Sequence, residues 1–330
     1  MEEILVSMKI LFSTSTSPTF EVKTGVIGEH QVNAVCRSLD WGKSGLRKQW
    51  HHVREAIQVM RRARSYDVLV LCTVGIEAFL VGRLRSVFCP RTAVVCVDFL
   101  MPRESRLMKI VGGWLRRVDA FVCIRTGDIP VMQRRFGVPA DRCHFAYFPA
   151  GLNRTQVATA EEGYIYSAGW AHRDWPTLLL ALKDVPYPAV LSVSGVLDVP
   201  AEAQARVRVL PQCTPDEGRA LMAGASLVAL AFEDTELPSG PLVLLDAMAL
   251  GKAVVTTRVN GTQDYVEDGK TGLLTAPGDS AALTASLSRL IEDSDLRRCL
   301  GEAAEADVAS RFNTSQFLSR ILTVCETVTS

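Results

Sequence analysis

The chain has 330 residues, 48% hydrophobic and 22% charged, with 36 basic side chains against 36 acidic ones. This length allows two domains with a core each, and the composition excludes a disordered or fibrous protein. Nine cysteines scattered without a CxxC pair predict reduced, buried thiols, and argue against a disulfide frame or a zinc site. No apolar run reaches the ~18–20 residues that span a bilayer. The opening MEEILVSMKILF is acidic where a signal peptide is basic, so a cytoplasmic protein is expected. The balanced total hides a split: residues 1–150 carry 22 Lys+Arg against 13 Asp+Glu, and residues 151–330 carry 14 against 23. Such a split predicts that the basic half meets an anionic partner.

In chain order, short apolar runs predict strands at Lys9–Ser13, Val68–Cys72, Ala93–Val97 and Ala120–Ile124, with helices at 47–64, 103–117 and 127–136. Residues 148–162, FPAGLNRTQVATAEE, break the periodicity and mark a linker. Strands follow at Tyr164–Ser167, Ala189–Ser194, Leu227–Ala231, Ala253–Thr256 and Gly272–Leu274, with helices at 174–183, 214–223, 241–250, 279–292, 294–311 and about 313–328. Strands alternating with helices of this length imply βαβ units and parallel sheets. The expected fold is α/β, with two Rossmann-like doubly wound domains at 1–150 and 151–330, the last helix packing back towards the first. In such folds ligands bind at the carboxyl ends of the strands.

One stretch carries more than architecture. In ELPSGPLVLLDAMALGKAVV, 236–255, Ser239, Gly240, Pro241 and Leu242 open an apolar helix. Pro suits the first helical position, and the free N–H groups with the helix dipole form an anion site. Asp246, on the second turn, interrupts the run LVLL–AMAL. Two readings of it stand here: a cap or salt bridge, or a buried carboxylate accepting from a vicinal diol such as a ribose.

The text SGPLVLLDAMALGKAVVTTRVNGTQDYVEDGKTGLLTAPGDSAAL, followed by LIEDSDLRRCLGEAAEADVASRF, resembles the C-terminal half of glycosyltransferase family 4. These are retaining nucleotide-sugar enzymes of GT-B fold. The family pattern is an acid, seven residues, a second acid and Ala-Met-Ala-x-Gly-x-Pro-Val-Val. The resemblance implies that Asp246 takes the second acid's place and contacts the donor ribose. Asn260-Gly261 stands in the place of the family's Gly-Gly, and Asp264 where its Glu would be. Counting back eight from Asp246 lands on Pro238, so the first acid, which contacts the donor sugar, is missing. Glu236 is the candidate to replace it. In YIYSAGWAHRDWPTLLLAL, 164–182, relatives carry Gly-Arg after the strand. Here Gly169 is followed by Trp170 and the cation comes at Arg173, to which the resemblance assigns the donor diphosphate. The alternative is an Arg173–Asp174 pair. His172, like His51 and His52, is expected on the surface, and Trp170 and Trp175 as packing residues, with lining of the base or sugar pocket as the alternative for Trp170.

The N-terminal half resembles the family weakly: STSTSPTF, 13–20, stands where relatives have a Gly-Gly loop. Asp98, at the tip of VVCVDF, is the candidate base for an acceptor hydroxyl, or else a helix cap. The helices 47–65 and 103–117 carry the basic surplus. Either they lie on an anionic membrane or they are core-facing helices with solvated backs. The resemblance implies sugar transfer from a nucleotide-diphosphate sugar to a glycan, lipid-linked or small-molecule hydroxyl. No cofactor or metal is expected, nor a nucleic-acid partner, and attachment to the inner face of a membrane is open. The rivals are a nucleotide-binding scaffold without turnover and a nucleotide-sugar epimerase. A nicotinamide dehydrogenase is excluded by the lack of GxGxxG after the first strand.

Overall fold

A computed structural model of the chain describes residues 7–15, 22–37, 46–151, 160–237 and 241–330. The expectations placed on Pro238, Ser239, Gly240, the 152–159 linker and residues 16–20 of the STSTSPTF loop lie outside them. The chain forms two compact units, Met1–Ala146 with Ser315–Ser330, and Tyr147–Thr314. The division thus falls at 146/147 where 150/151 was expected, and the C-terminal helix, Thr314–Thr329, counts almost wholly with the first unit.

The N-terminal unit is a seven-stranded sheet. Its strands are β1 (Lys9–Ser15), β2 (Gly25–Ile27), β3 (His30–Arg37), β4 (Val68–Val74), β5 (Ala93–Phe99), β6 (Ala120–Cys123) and β7 (Cys143–Phe145), in the order β2-β3-β1-β4-β5-β6-β7. All neighbours run parallel except the short β2–β3 hairpin. After Ala93 every residue of β5 is buried, as expected of a parallel sheet covered on both faces. The helices are α1 (Leu46–Ala63), α2 (Ile76–Phe88), α3 (Arg106–Val111) and α4 (Asp128–Phe136). The single helix expected at 103–117 is instead α3 followed by a 3-10 turn, Gly112–Arg117. Helix α2 and strands β2, β3 and β7 were not anticipated.

His52 is not the surface residue expected. Its Nδ1 lies 2.6 Å from Oε1 of Glu77, and both side chains are largely buried, joining α1 to α2. The C-terminal helix buries Phe317, Ile321, Val324 and Cys325. It is tied down through Glu326, 3.1 Å from Nε2 of the buried His30.

The second unit is a six-stranded sheet of β8 (Ile165–Ala168), β9 (Ala189–Val193), β10 (Val207–Pro211), β11 (Leu227–Leu230), β12 (Ala253–Thr257) and β13 (Leu273–Thr275). The order is β10-β9-β8-β11-β12-β13, parallel throughout. Helices α5 (Trp175–Asp184), α6 (Pro215–Gly224), α7 (Leu242–Ala249), α8 (Ser280–Glu292) and α9 (Ser294–Arg311) connect and cover it. The chain winds outward from β8 to β10 and then crosses to β11. The topological switch point therefore lies at the carboxyl ends of β8 and β11, where doubly wound sheets hold their ligands. The two places where the chain enters and leaves this unit lie side by side. Tyr147, Tyr265 and Phe312 form a ring cluster with centroids 4.9–5.8 Å apart, and Ala150 donates its N–H to the Phe312 carbonyl at 2.9 Å.

Two glycines set how closely helices approach their neighbours. A Cβ at Gly82 of α2 would collide with the Trp114 carbonyl, and one at Gly301 of α9 with the Gly251 carbonyl at the end of α7. Both obstacles are backbone, so relief requires moving a whole segment. Gly82→Ala and Gly301→Ala are each expected to cost about 1–3 kcal/mol, as overpacked cores do. Thermal denaturation followed by circular dichroism measures this, and an unchanged melting temperature would refute the close approach.

Candidate functional site

At the switch point of the second unit lies a cavity of about 200 Å³. One wall is the end of β8 and the turn after it, Tyr166 to Trp170; another is Ser192 of β9 with Gln212 and Cys213 beyond β10; the remainder is the start of α6 and the Val243–Asp246 turn of α7. The wall at α6 is held by a capping box. Thr214 Oγ1 accepts from the Glu217 N–H at 3.4 Å, and Glu217 Oε2 accepts from the Thr214 N–H at 2.8 Å. Ser192 Oγ accepts from the Cys213 N–H at 3.1 Å and fixes the neighbouring segment.

Asp246 faces this cavity from a helix whose other central residues, Leu244, Leu245, Ala247 and Met248, are buried. Its carboxylate has no hydrogen bond or ion pair among the described residues, so the cap or salt-bridge reading fails. Burial drives its pKa from 3.8 up to about 6, and the positive charge of Arg219 offsets only part of this. Pro241 is the N-cap rather than the first helical residue, and the helix begins at Leu242 with the Leu245 N–H on the Pro241 carbonyl at 2.8 Å. The N–H groups of Leu242, Val243 and Leu244 thus have no acceptor within the helix, and among the described residues no side chain caps it. They form a donor set with a partial positive charge.

Arg173 does not pair with Asp174. That carboxylate caps α5, accepting from the Thr177 N–H at 3.0 Å and from its hydroxyl at 2.6 Å. Arg173 turns back under the Gly169 turn, donates Nε–H to the Ala168 carbonyl at 2.8 Å, and lies over the Phe232 ring with Cζ 4.0 Å from the centroid. Gly169 has φ +119°, and a Cβ there would collide with this guanidinium. A glycine is therefore required both for the turn and for the cation beneath it. No carboxylate pairs with Arg173 among the described residues. Desolvation accordingly pulls its pKa from 12.5 down to about 9, the signature of a cation without its anion. Residues 172–174 pair with 231–233, the stretch leading towards α7. His172, with φ +51°, is half-buried and 3.7 Å from Glu233. Trp170 is 70% exposed and lines the cavity, as its alternative reading has it rather than as a packing residue, whereas Trp175 does pack on the core.

The structure thus brings Gly169 and Asp246 to one cavity, with Arg173 packed beneath Gly169, and places Pro241 and Leu242 on the same helix start. Glu236 is exposed on the loop before them. Asp98 belongs to the N-terminal unit. Its φ of +50° interrupts β5, and its Oδ1 accepts from Nη2 of the fully buried Arg125 at 3.1 Å. The same guanidinium donates Nε–H to Asp128 at 2.8 Å. Burial raises the Asp98 pKa against the pull of Arg125. It caps no helix, since Ser105 caps α3 by accepting from the Met108 N–H. Arg219 was missed by sequence reasoning. It lines the cavity, its Nη1 pairs with the exposed Asp216 at 3.1 Å, and its buried Nε has no partner among the described residues. Its i,i+3 spacing from Asp216 reads as a surface pair, which hid it.

Residues 200–307 match the family of glycosyl transferases group 1. The chain therefore carries a glycosyltransferase group 1 domain, and its two parallel-sheet units have the GT-B fold. It is 33% identical over 117 residues to N-acetyl-alpha-D-glucosaminyl L-malate synthase of Bacillus anthracis, covering 36% of this chain and 30% of the relative. It is 36% identical over 178 residues to D-inositol 3-phosphate glycosyltransferase of Salinispora arenicola, covering 53% of this chain and 36% of that one. The chain thus spans about a third of the length of these curated relatives. Among solved structures, Anabaena HepE in complex with UDP and glucose superposes with a TM-score of 0.69 at 19% identity, over 97% of this chain and 99% of that one. Sucrose-phosphate synthase of Thermosynechococcus elongatus gives 0.68 at 16% identity, over 97% and 88%.

An acid whose folded pKa lies above its unfolded value binds more protons when folded. Its stabilising contribution is therefore present below the unfolded pKa and lost as pH rises through the folded one. For Asp246 that window runs from about 3.8 to about 6. Asp246→Asn is expected to raise stability at pH 7.5 by on the order of 2 kcal/mol, with the gain vanishing towards pH 4. Melting temperatures of both proteins between pH 4 and 8 test this. An equal offset at every pH would contradict the burial of an unpartnered carboxylate.

Proposed function

We propose that the protein is a retaining glycosyltransferase that moves a sugar from a nucleotide-diphosphate donor to an acceptor hydroxyl on a glycan, a lipid-linked molecule or a small molecule. The observation that carries this reading is the unpartnered pair of opposite charges at the switch point: the Asp246 carboxylate facing the cavity, and the Arg173 guanidinium buried without a counter-charge. One ligand with a vicinal diol and a diphosphate satisfies both. The ribose hydroxyls donate to Asp246, and the nucleobase lies against the Gln212–Pro215 segment and Trp170. Arg173, the α7 N-terminus and the 239–240 loop take the diphosphate, and Glu236 is the candidate contact to the sugar. The group 1 domain and the UDP complex of a protein of the same fold support the assignment.

Breaking the bond between the anomeric carbon and the diphosphate oxygen leaves charge on the diphosphate. Fixed donors and cations aimed at that charge lower the barrier without reorganising during the reaction. In this proposal Arg173 and the helix dipole supply the positive charge, so chelation of divalent cations is expected to leave transfer unchanged. A second reading, a nucleotide-binding subunit without turnover, is favoured by Pro238 standing where the family pattern has its first acid.

Thermal shift against UDP, GDP, ADP and their sugar conjugates separates the readings. A ligand at 100 times its dissociation constant stabilises by about 2.7 kcal/mol. One nucleotide is expected to do so, and Asp246→Ala to abolish the shift. Arg173→Met is expected to weaken the nucleoside diphosphate about 10–100-fold, the equivalent of about 1.5–3 kcal/mol for a hydrogen bond to a charged group, while leaving the nucleoside almost unaffected. Labelled donor then distinguishes transfer from mere binding, and donor conversion without an acceptor would identify an epimerase. No shift with any nucleotide would remove the proposal.

A further inference from the structure

The basic helix of the N-terminal unit is built differently from the one the sequence suggests. A core-facing helix would turn all its apolar residues inward. In α3, Met108 and Val111 are buried, but Leu107 and Ile110, also three apart, stand 57% and 73% exposed on the neighbouring face. Arg103, Arg106 and Lys109 of the same short stretch are exposed as well. Glu104, the one acid between residues 103 and 117, lies 3.4 Å from Arg135, so its charge is already matched. Single exposed leucines are commonplace. Two adjacent aliphatic side chains projecting from a cluster of cations form a pattern.

We propose that Leu107 and Ile110, together with the exposed Arg103, Arg106 and Lys109 of the same stretch, form a docking surface for an anionic lipid bilayer. The recess between Glu104, Met108, Lys109 and Arg135 holds about 20 Å³, near the volume of one water, so no peptide side chain seats there. A partner must therefore accept side chains that project from this surface. A fluid headgroup layer does so: the aliphatic tips enter the headgroup–acyl boundary while the cations remain among lipid phosphates. Nucleic acid fits worse, because it rewards stacking and polar contacts and gains little from Leu and Ile. The 22 basic against 13 acidic residues of positions 1–150 add attraction of the same sign.

Co-sedimentation with vesicles of phosphatidylcholine and phosphatidylglycerol at 3:1 tests the proposal on the full chain. Binding is expected at 0.1 M salt, with little on pure phosphatidylcholine and loss at 0.5 M salt. Arg106→Glu/Lys109→Glu and, separately, Leu107→Ser/Ile110→Ser are each expected to lower the partition coefficient at least tenfold. All four positions are exposed, so melting temperatures should hold. No binding to anionic vesicles, equal binding to neutral ones, or binding unchanged by either variant would overturn the proposal. So would binding of a homopolymeric RNA that replaces lipid binding and ignores Leu107→Ser/Ile110→Ser. The proposal does not rest on sugar transfer: nucleotide thermal shifts in the same variants report the other site independently.

Discussion

A carboxylate without a partner, on a helix that is otherwise apolar, organises the second unit. Burying Asp246 opposes folding, because desolvation disfavours its charge and Arg219 compensates incompletely. The fold tolerates this because α7 is held elsewhere. Leu244, Leu245, Ala247 and Met248 are buried, and Gly301 brings α9 against the turn that ends the helix. Arg173 is the matching case of opposite sign, anchored by a carbonyl and an aromatic face and lacking an anion. Strain of this kind is stable only where surrounding packing over-determines it, and such sites are where ligands bind.

The N-terminal unit treats its buried charges in the opposite way. Arg125 is fully enclosed, but two carboxylates, Asp98 and Asp128, accept from it, and the buried Glu77 is matched by His52. Charges that find partners inside the protein have less to offer a ligand. The unit's unsatisfied surface is instead outside, on α3, where apolar side chains and cations share one exposed face.

Much of the second unit was legible because its local signals agree with one another. The apolar runs of β11 and β12 and the helices at 279–292 and 294–311 each follow from composition and spacing. The N-terminal unit was harder to read where local pattern and burial disagree. Helix α2 buries Glu77 and exposes Ile76 and Val87, which blurs its apolar stripe. Strands β2 and β7 are edge strands of three residues, too short for a pattern to show, and β3 pairs with β1 rather than with a strand next to it in a βαβ unit. Asp246 could be singled out because it breaks its apolar run, and Gly169 and Arg173 because their stretch resembles the family's donor segment. Arg219 could not, since an Arg on a capped helix looks ordinary in one dimension.

By itself the sequence determined the two parallel α/β units and the run of elements from Leu227 to the end, because apolar periodicity and turn residues act over a few neighbours. Tertiary structure alone decided that the Asp246 carboxylate stays unpartnered, that Arg173 folds beneath Gly169 rather than meeting Asp174, and that α3 turns Leu107 and Ile110 outward. Each of these depends on which charges and surfaces are brought near from distant parts of the chain, and burial and pairing are properties of that arrangement rather than of spacing.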